Sequence, residues 1–96
     1  MRLPAELYAE LQRAAAHYGL DYSTIAEKAL YAAWRRRPDL EAVEMESTYG
    51  GEAIRFCIGE RCWLQEDGPV PEDARPEFLR RALSWQLARL DYRSQE

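Results

Sequence analysis

Three consecutive pieces decide the reading of this chain: Met1-Arg2-Leu3-Pro4-Ala5-Glu6-Leu7, the helix-period run that continues to Gly19, and Leu20-Asp21-Tyr22-Ser23-Thr24-Ile25-Ala26. Pro4 suits a first helical turn, where its missing N–H removes no bond and its fixed φ is already helical. Leu7, Leu11, Ala14, Ala15 and Tyr18 then recur at helical spacing and form one apolar stripe, with Glu6, Glu10, Gln12, Arg13 and His17 largely off it. Gly19 fits the left-handed position that closes such a helix. Asp21 reads as the N-cap of a second helix, whose stripe is Ile25, Ala26, Ala29, Leu30, Ala33 and Trp34, and Pro38 stops it. Helices this short cannot bury such stripes alone, so the two are expected to pack on each other and on a second chain.

This arrangement over residues 1 to 35 resembles the ribbon-helix-helix family: a short strand ending in Arg-Leu-Pro, a helix, a Gly-centred turn, and a second helix opening on an Asp-x-Ser signature. The resemblance implies an interlocked homodimer whose paired strands form a ribbon that reads the DNA major groove. It makes Arg2 the groove reader of a strand cut to three residues. Tyr22 and Ser23, at the start of the second helix, become the phosphate clamp. Leu3, Leu7, Leu11, Ile25, Leu30 and Trp34 are then expected at the dimer interface.

Charge divides the chain at Arg37. Residues 1–37 hold six Lys/Arg against four Asp/Glu, and residues 38–96 hold seven against thirteen, so a mildly basic part precedes an acidic one within a net charge of −4. The overall sign opposes a strong nucleic-acid field, and only the N-terminal part has the sign DNA requires. Arg35-Arg36-Arg37 reads first as a solvated helix C-terminus complementing the dipole and second as phosphate contacts.

Past Pro38 the apolar period changes from helical to alternating. Val43, Met45 and Ser47 alternate with Glu44, Glu46 and Thr48, and Gly50-Gly51 reads as a two-residue hairpin turn. That register sets Met45 against Phe56, Val43 against Ile58, and Glu46 against Arg55. A second turn at Gly59-Glu60 sets Cys57 against Cys62 and Phe56 against Trp63. Three strands, at about residues 42–49, 52–58 and 61–66, form a meander. A final helix from Pro76, with Phe78, Leu79, Ala82, Leu83, Gln86, Leu87 and Leu90 on its apolar face, is expected to cover it. The fold class is therefore α+β: a two-helix, ribbon-helix-helix-like part over residues 1–37 and an acidic βββα lobe over residues 38–96.

Cys57 and Cys62 supply only half a tetrahedral metal site, and the single His17 sits in another element, so no metal and no cofactor is expected. The hairpin register makes a disulfide sterically feasible, with two reduced thiols expected in a reducing cytoplasm. Gly-rich phosphate loops, nucleophile elbows and metalloprotease helices are absent, and the acidic residues read as a solvated face, so the chain is read as non-enzymatic. No apolar run approaches the ~20 residues of a membrane span and no signal-peptide pattern opens the chain, which reads as soluble and cytoplasmic.

Two functions follow. One is a DNA-binding regulator, of repressor or antitoxin type, with an added lobe. The other is a non-enzymatic protein-binding module, such as a small inhibitor, an antitoxin acting on its toxin, or a phage-encoded protein aimed at a host assembly. In the second, the acidic lobe meets a basic partner surface through Glu44, Glu46 and Trp63.

Overall fold

A computed structural model describes residues 1–45, 47–65 and 68–90. Its class is α+β: three helices and two small antiparallel sheets of two strands each. The order is β1 (Arg2–Leu3), α1 (Ala5–Tyr18), α2 (Tyr22–Arg36), β2 (Glu52–Ala53), β3 (Leu64–Gln65), β4 (Gly68–Pro69) and α3 (Arg75–Arg89). Single 3-10 turns lie at Leu40–Ala42, Glu60–Trp63 and Glu72–Ala74.

The helix signals act where the residues placed them. Pro4 sits at the N-cap of α1, and Gly19 closes that helix at φ 66°, a left-handed value natural to a residue without Cβ. Asp21 caps α2 by accepting the Thr24 N–H at 2.7 Å. Arg37 ends α2 in a left-handed conformation at φ 50°, its N–H bonded to the Ala33 carbonyl, and Pro38 after it cannot continue the helix. Leu7, Leu11 and Ala14 of α1 and Ile25, Ala26, Ala29, Leu30 and Ala33 of α2 are buried, as expected of the stripes. Tyr18 departs from its stripe and is exposed.

What covers those stripes differs from expectation. α3 packs on both α1 and α2, its contact with α2 being the most extensive between any two elements. Leu79, Ala82, Leu83 and Leu87 of α3 join Leu3, Leu11 and Leu30 in one continuous core. The stripes are thus covered inside a single chain, and the division at residue 37 does not separate two cores.

The meander is also replaced. β2 pairs with β1, with Arg2 opposite Ala53 and Leu3 opposite Glu52. Gly51 makes this close approach feasible, since a Cβ there would collide with the Leu3 carbonyl. Residues 40–42 wind into a 3-10 turn, around which the Arg81 guanidinium gathers the carbonyls of Leu40 (3.0 Å), Glu41 (3.3 Å) and Val43 (2.6 Å). Residues 60–63 wind likewise, which resolves a conflict in the strand reading. Cys62 and Trp63 are both buried, and consecutive strand residues would face opposite sides. The expected opposition of Cys57 and Cys62 across a Gly59-Glu60 hairpin is lost with that strand. The alternation of residues 54–58 survives in burial alone, outside any strand, with Ile54, Phe56 and Ile58 half-buried and Arg55 and Cys57 exposed. The Glu46 partner of the expected Glu46–Arg55 pair lies outside the described residues. Among the described residues, no helix is long and apolar enough to cross a membrane.

Candidate partner-binding site

One face of α2 converges on Cys62. Glu27, Tyr31 and Trp34 stand at i, i+4 and i+7, so their side chains share a stripe of the helix surface. The Trp34 indole Nε1 donates to the Cys62 carbonyl at 2.6 Å, and the Cys62 thiol donates to Glu27 Oε2 at 3.2 Å. Burial pushes the Cys62 thiol above its ordinary value. The Tyr31 hydroxyl beside it opposes that shift, and the Glu27 carboxylate adds to it. The same contact with Cys62 is the largest cause raising the Tyr31 hydroxyl. A protonated thiol hydrogen-bonded to a carboxylate is a structural group, and its reactivity toward electrophiles is low.

Fixing Trp34 in this way builds the floor of a groove. The indole stacks on Phe78 of α3, with ring centroids 4.8 Å apart and planes at 30°. Around this pair, Tyr31, Arg35, Arg37, Asp39, Leu64 and Arg81 help to enclose an open groove of about 1180 Å³. Tyr31 and Leu64 stand on its rim with 49% and 55% of their surfaces exposed. Arg81 belongs to the scaffold: besides gathering three carbonyls it bonds Glu77 at 2.9 Å, and Glu77 also holds Arg80 at 3.1 Å. Asp39, Glu41 and Glu44 lie exposed on the segment that Arg81 ties to α3, and Glu72 and Asp73 lie exposed just ahead of α3.

The residues expected to act on DNA are occupied within the chain. Arg2 donates from Nη1 to the Gly51 carbonyl at 2.9 Å. Met1 and Ile54 exchange both their backbone bonds, which turns the Arg2 carbonyl to the opposite edge of β1, where Arg80 Nε donates to it at 2.8 Å. Both edges of the strand are therefore engaged. Ser23 Oγ accepts the Cys57 N–H at 2.8 Å, and Tyr22 lies edge-to-face with Tyr8 at 6.1 Å. The side-chain bond from Tyr22 is the largest cause raising the Tyr8 hydroxyl, followed by burial and the Glu52 carboxylate. Leu3, Leu7, Leu11, Ile25 and Leu30 are core residues, and Trp34 is half-buried at the groove.

Of the alternative contacts, Glu44 is exposed, Glu46 lies outside the described residues, and Trp63 is only 6% exposed, with the Arg75 guanidinium 5.2 Å from its ring centroid. Trp63 is thus a core side chain and not a surface contact. The groove brings together Trp34, Tyr31, Leu64 and Phe78, of which only Trp34 was singled out for an interface. Tyr31 carried a usable signal, being a large aromatic off the apolar stripe of its helix. Leu64 carried none, since its exposure depends on the 3-10 turn before it. No family model, no curated protein and no solved structure matches this chain.

Proposed function

We propose that this chain is a non-enzymatic protein-binding module that captures a partner segment in the groove between α2 and α3. The single observation that carries this is an aromatic floor already immobilised by the Trp34–Cys62 bond, beneath two large apolar side chains left exposed at the rim. Pre-positioned aromatic anchors with exposed apolar neighbours are the usual make-up of an interface centre, and they lose little conformational freedom on binding. The charged lining is balanced, Asp39, Glu41 and Glu77 against Arg35, Arg37 and Arg81, so the apolar anchor and not net charge is what a partner must supply.

The ribbon-helix-helix regulator is the competing proposal. It requires β1 to exchange its present neighbours for a second chain, and it requires Arg2 to leave Gly51 for a base edge.

Selection of displayed peptides on the folded chain tests the first reading. Enriched peptides should share a large apolar anchor residue, and Leu64→Glu should weaken their binding about tenfold. Peptides without that pattern, or binding indifferent to Leu64→Glu, would defeat the reading. A low-salt gel shift lost in Arg2→Ala would replace it with the DNA reading.

A further inference from the structure

The two edges of the β1–β2 sheet differ. Met1 and Ile54 exchange both their backbone bonds, at 2.8 and 2.9 Å, and the register sets Arg2 opposite Ala53 and Leu3 opposite Glu52. Bonded pairs alternate along an antiparallel ladder with pairs whose main-chain groups point away from the partner strand, so Leu3 and Glu52 bond each other and Arg2 and Ala53 do not. Trans planarity of the peptide units then fixes the groups between. The Glu52 carbonyl and the Ile54 N–H turn toward β1, so the N–H and the carbonyl of Ala53 turn outward. The Ile54 carbonyl turns toward Met1, so the Arg55 N–H turns outward as well. On the β1 edge, Arg80 holds the outward carbonyl of Arg2. Around β2, Arg2 Nη1 holds the Gly51 carbonyl and Ser23 Oγ accepts the Cys57 N–H. Between those two bonds the outward groups of Ala53 and Arg55 have no partner among the described residues, and both residues are exposed.

A donor, an acceptor and a second donor, in that order along one strand edge, match the main chain of an extended peptide, which turns the same groups to one side at every second residue. A partner helix does not match, because its own turns consume those groups. The Arg55 guanidinium makes no ion pair among the described residues, and side chains of an added strand come within its reach. We propose that this edge accepts an added strand: an extended peptide that pairs with Ala53 and Arg55 and carries Asp or Glu beside the Arg55 side chain. The site shares no residue with the groove between α2 and α3, and it asks for main chain and a carboxylate in place of an apolar anchor.

Amide NMR reads this edge directly, with an acetylated and amidated Thr-Val-Glu-Val-Thr peptide as the probe. Titration should move the Ala53 and Arg55 amides saturably and leave the Ile54 amide, already bonded to Met1, nearly in place. The same peptide N-methylated throughout has no donor for the Ala53 carbonyl and should bind about tenfold more weakly. Lys in place of its Glu should weaken binding a few-fold, and Arg55→Gln should make the two peptides equal, as expected of an exposed ion pair. Ala53→Pro removes the outward N–H, leaves both Met1–Ile54 bonds, and should also weaken binding about tenfold. Leu64→Glu, which disables the groove, should leave the shifts unchanged. The proposal falls if neither amide moves at millimolar peptide, if the N-methylated peptide binds equally well, or if Leu64→Glu abolishes the response. It falls too if the amides move with protein concentration alone, which would make a second copy of this chain the occupant.

Discussion

The indole of Trp34 donates to the carbonyl of Cys62 at 2.6 Å, joining the last turns of α2 to the 3-10 turn at Glu60–Trp63 across 28 positions of sequence. That bond holds the indole flat against Phe78 and sets the groove floor. Trp34→Phe keeps an aromatic ring for Phe78 but leaves the part-buried Cys62 carbonyl without its donor. Urea unfolding should show a loss of about 1–2 kcal/mol. Trp34→Ala also removes the packed ring and should cost about 3–5 kcal/mol.

The two cysteines should react at very different rates. Cys57 is exposed, whereas Cys62 is buried, bonded to Glu27, and raised in pKa chiefly by that burial. With an aromatic disulfide reagent near neutral pH, one thiol should titrate at once and the second far more slowly. Glu27→Gln keeps an acceptor while removing the charge that favours the protonated thiol, and should speed the slow phase. Two fast thiols in the folded protein would contradict this placement.

Asp21 gives stability a specific acid dependence. The Thr24 N–H that it accepts holds its carboxyl below the ordinary value of 3.8. A carboxyl depressed in the folded state stabilises above its unfolded pKa, and that contribution disappears as pH falls through the lower, folded pKa. Asp21→Asn retains an oxygen for the cap and removes the titration. The difference in melting midpoint between wild type and Asp21→Asn should therefore be constant at neutral pH and begin to change only below about pH 4.

How far the residues announced this structure depends on the range of the contacts involved. Asp21, Gly19 and the stripes of α1, α2 and α3 were legible because caps and helical periodicity are local, set within a few residues. The meander was not, since the pairing of β2 depends on Leu3, about fifty positions earlier, approaching Gly51. Gly50-Gly51 signalled a turn, but it lies one residue earlier, on Tyr49-Gly50 with the Gly51 N–H bonded to the Thr48 carbonyl and Gly50 at φ 75°, and a turn does not name the strand it delivers. The groove was the least legible feature. It needs Trp34, Leu64 and Phe78 brought together from three elements; Trp34 and Phe78 were marked only as members of separate helical stripes, and Leu64 by nothing.

Arg81 should prove to be the clamp of the segment after α2. Its guanidinium joins Glu77 to the carbonyls of Leu40, Glu41 and Val43, and no uncharged side chain of similar length offers that fork of donors. Arg81→Met keeps the aliphatic stem and removes the donors. With its side chain partly exposed, the expected loss is about 1–3 kcal/mol. Hydrogen exchange should also quicken at the Ala42 and Val43 amides, which close the 3-10 turn on Asp39 and Leu40. Unchanged exchange there would show that the segment holds its shape without the clamp.

Assembly separates the two proposed functions most directly. The expected homodimer drew its force from apolar stripes that two short helices cannot cover, and here α3 covers them, leaving Leu11 and Leu30 with no exposed surface. The ribbon would require a free strand edge, but β2 occupies one edge of β1 and Arg80 holds the Arg2 carbonyl on the other. Sedimentation at micromolar concentration should therefore return the mass of one chain. Leu30→Asp places an unpaired carboxylate in that core, and its effect should be unfolding at every protein concentration, with no folded monomer as an intermediate. Arg80→Ala frees the outer edge of β1 and is the sharper probe. If it stays monomeric, the strand is a short internal tie. A stable dimer in the wild type, strengthened by Arg80→Ala and weakened by substitution at Leu3, would return the chain to the ribbon arrangement and its DNA-binding reading.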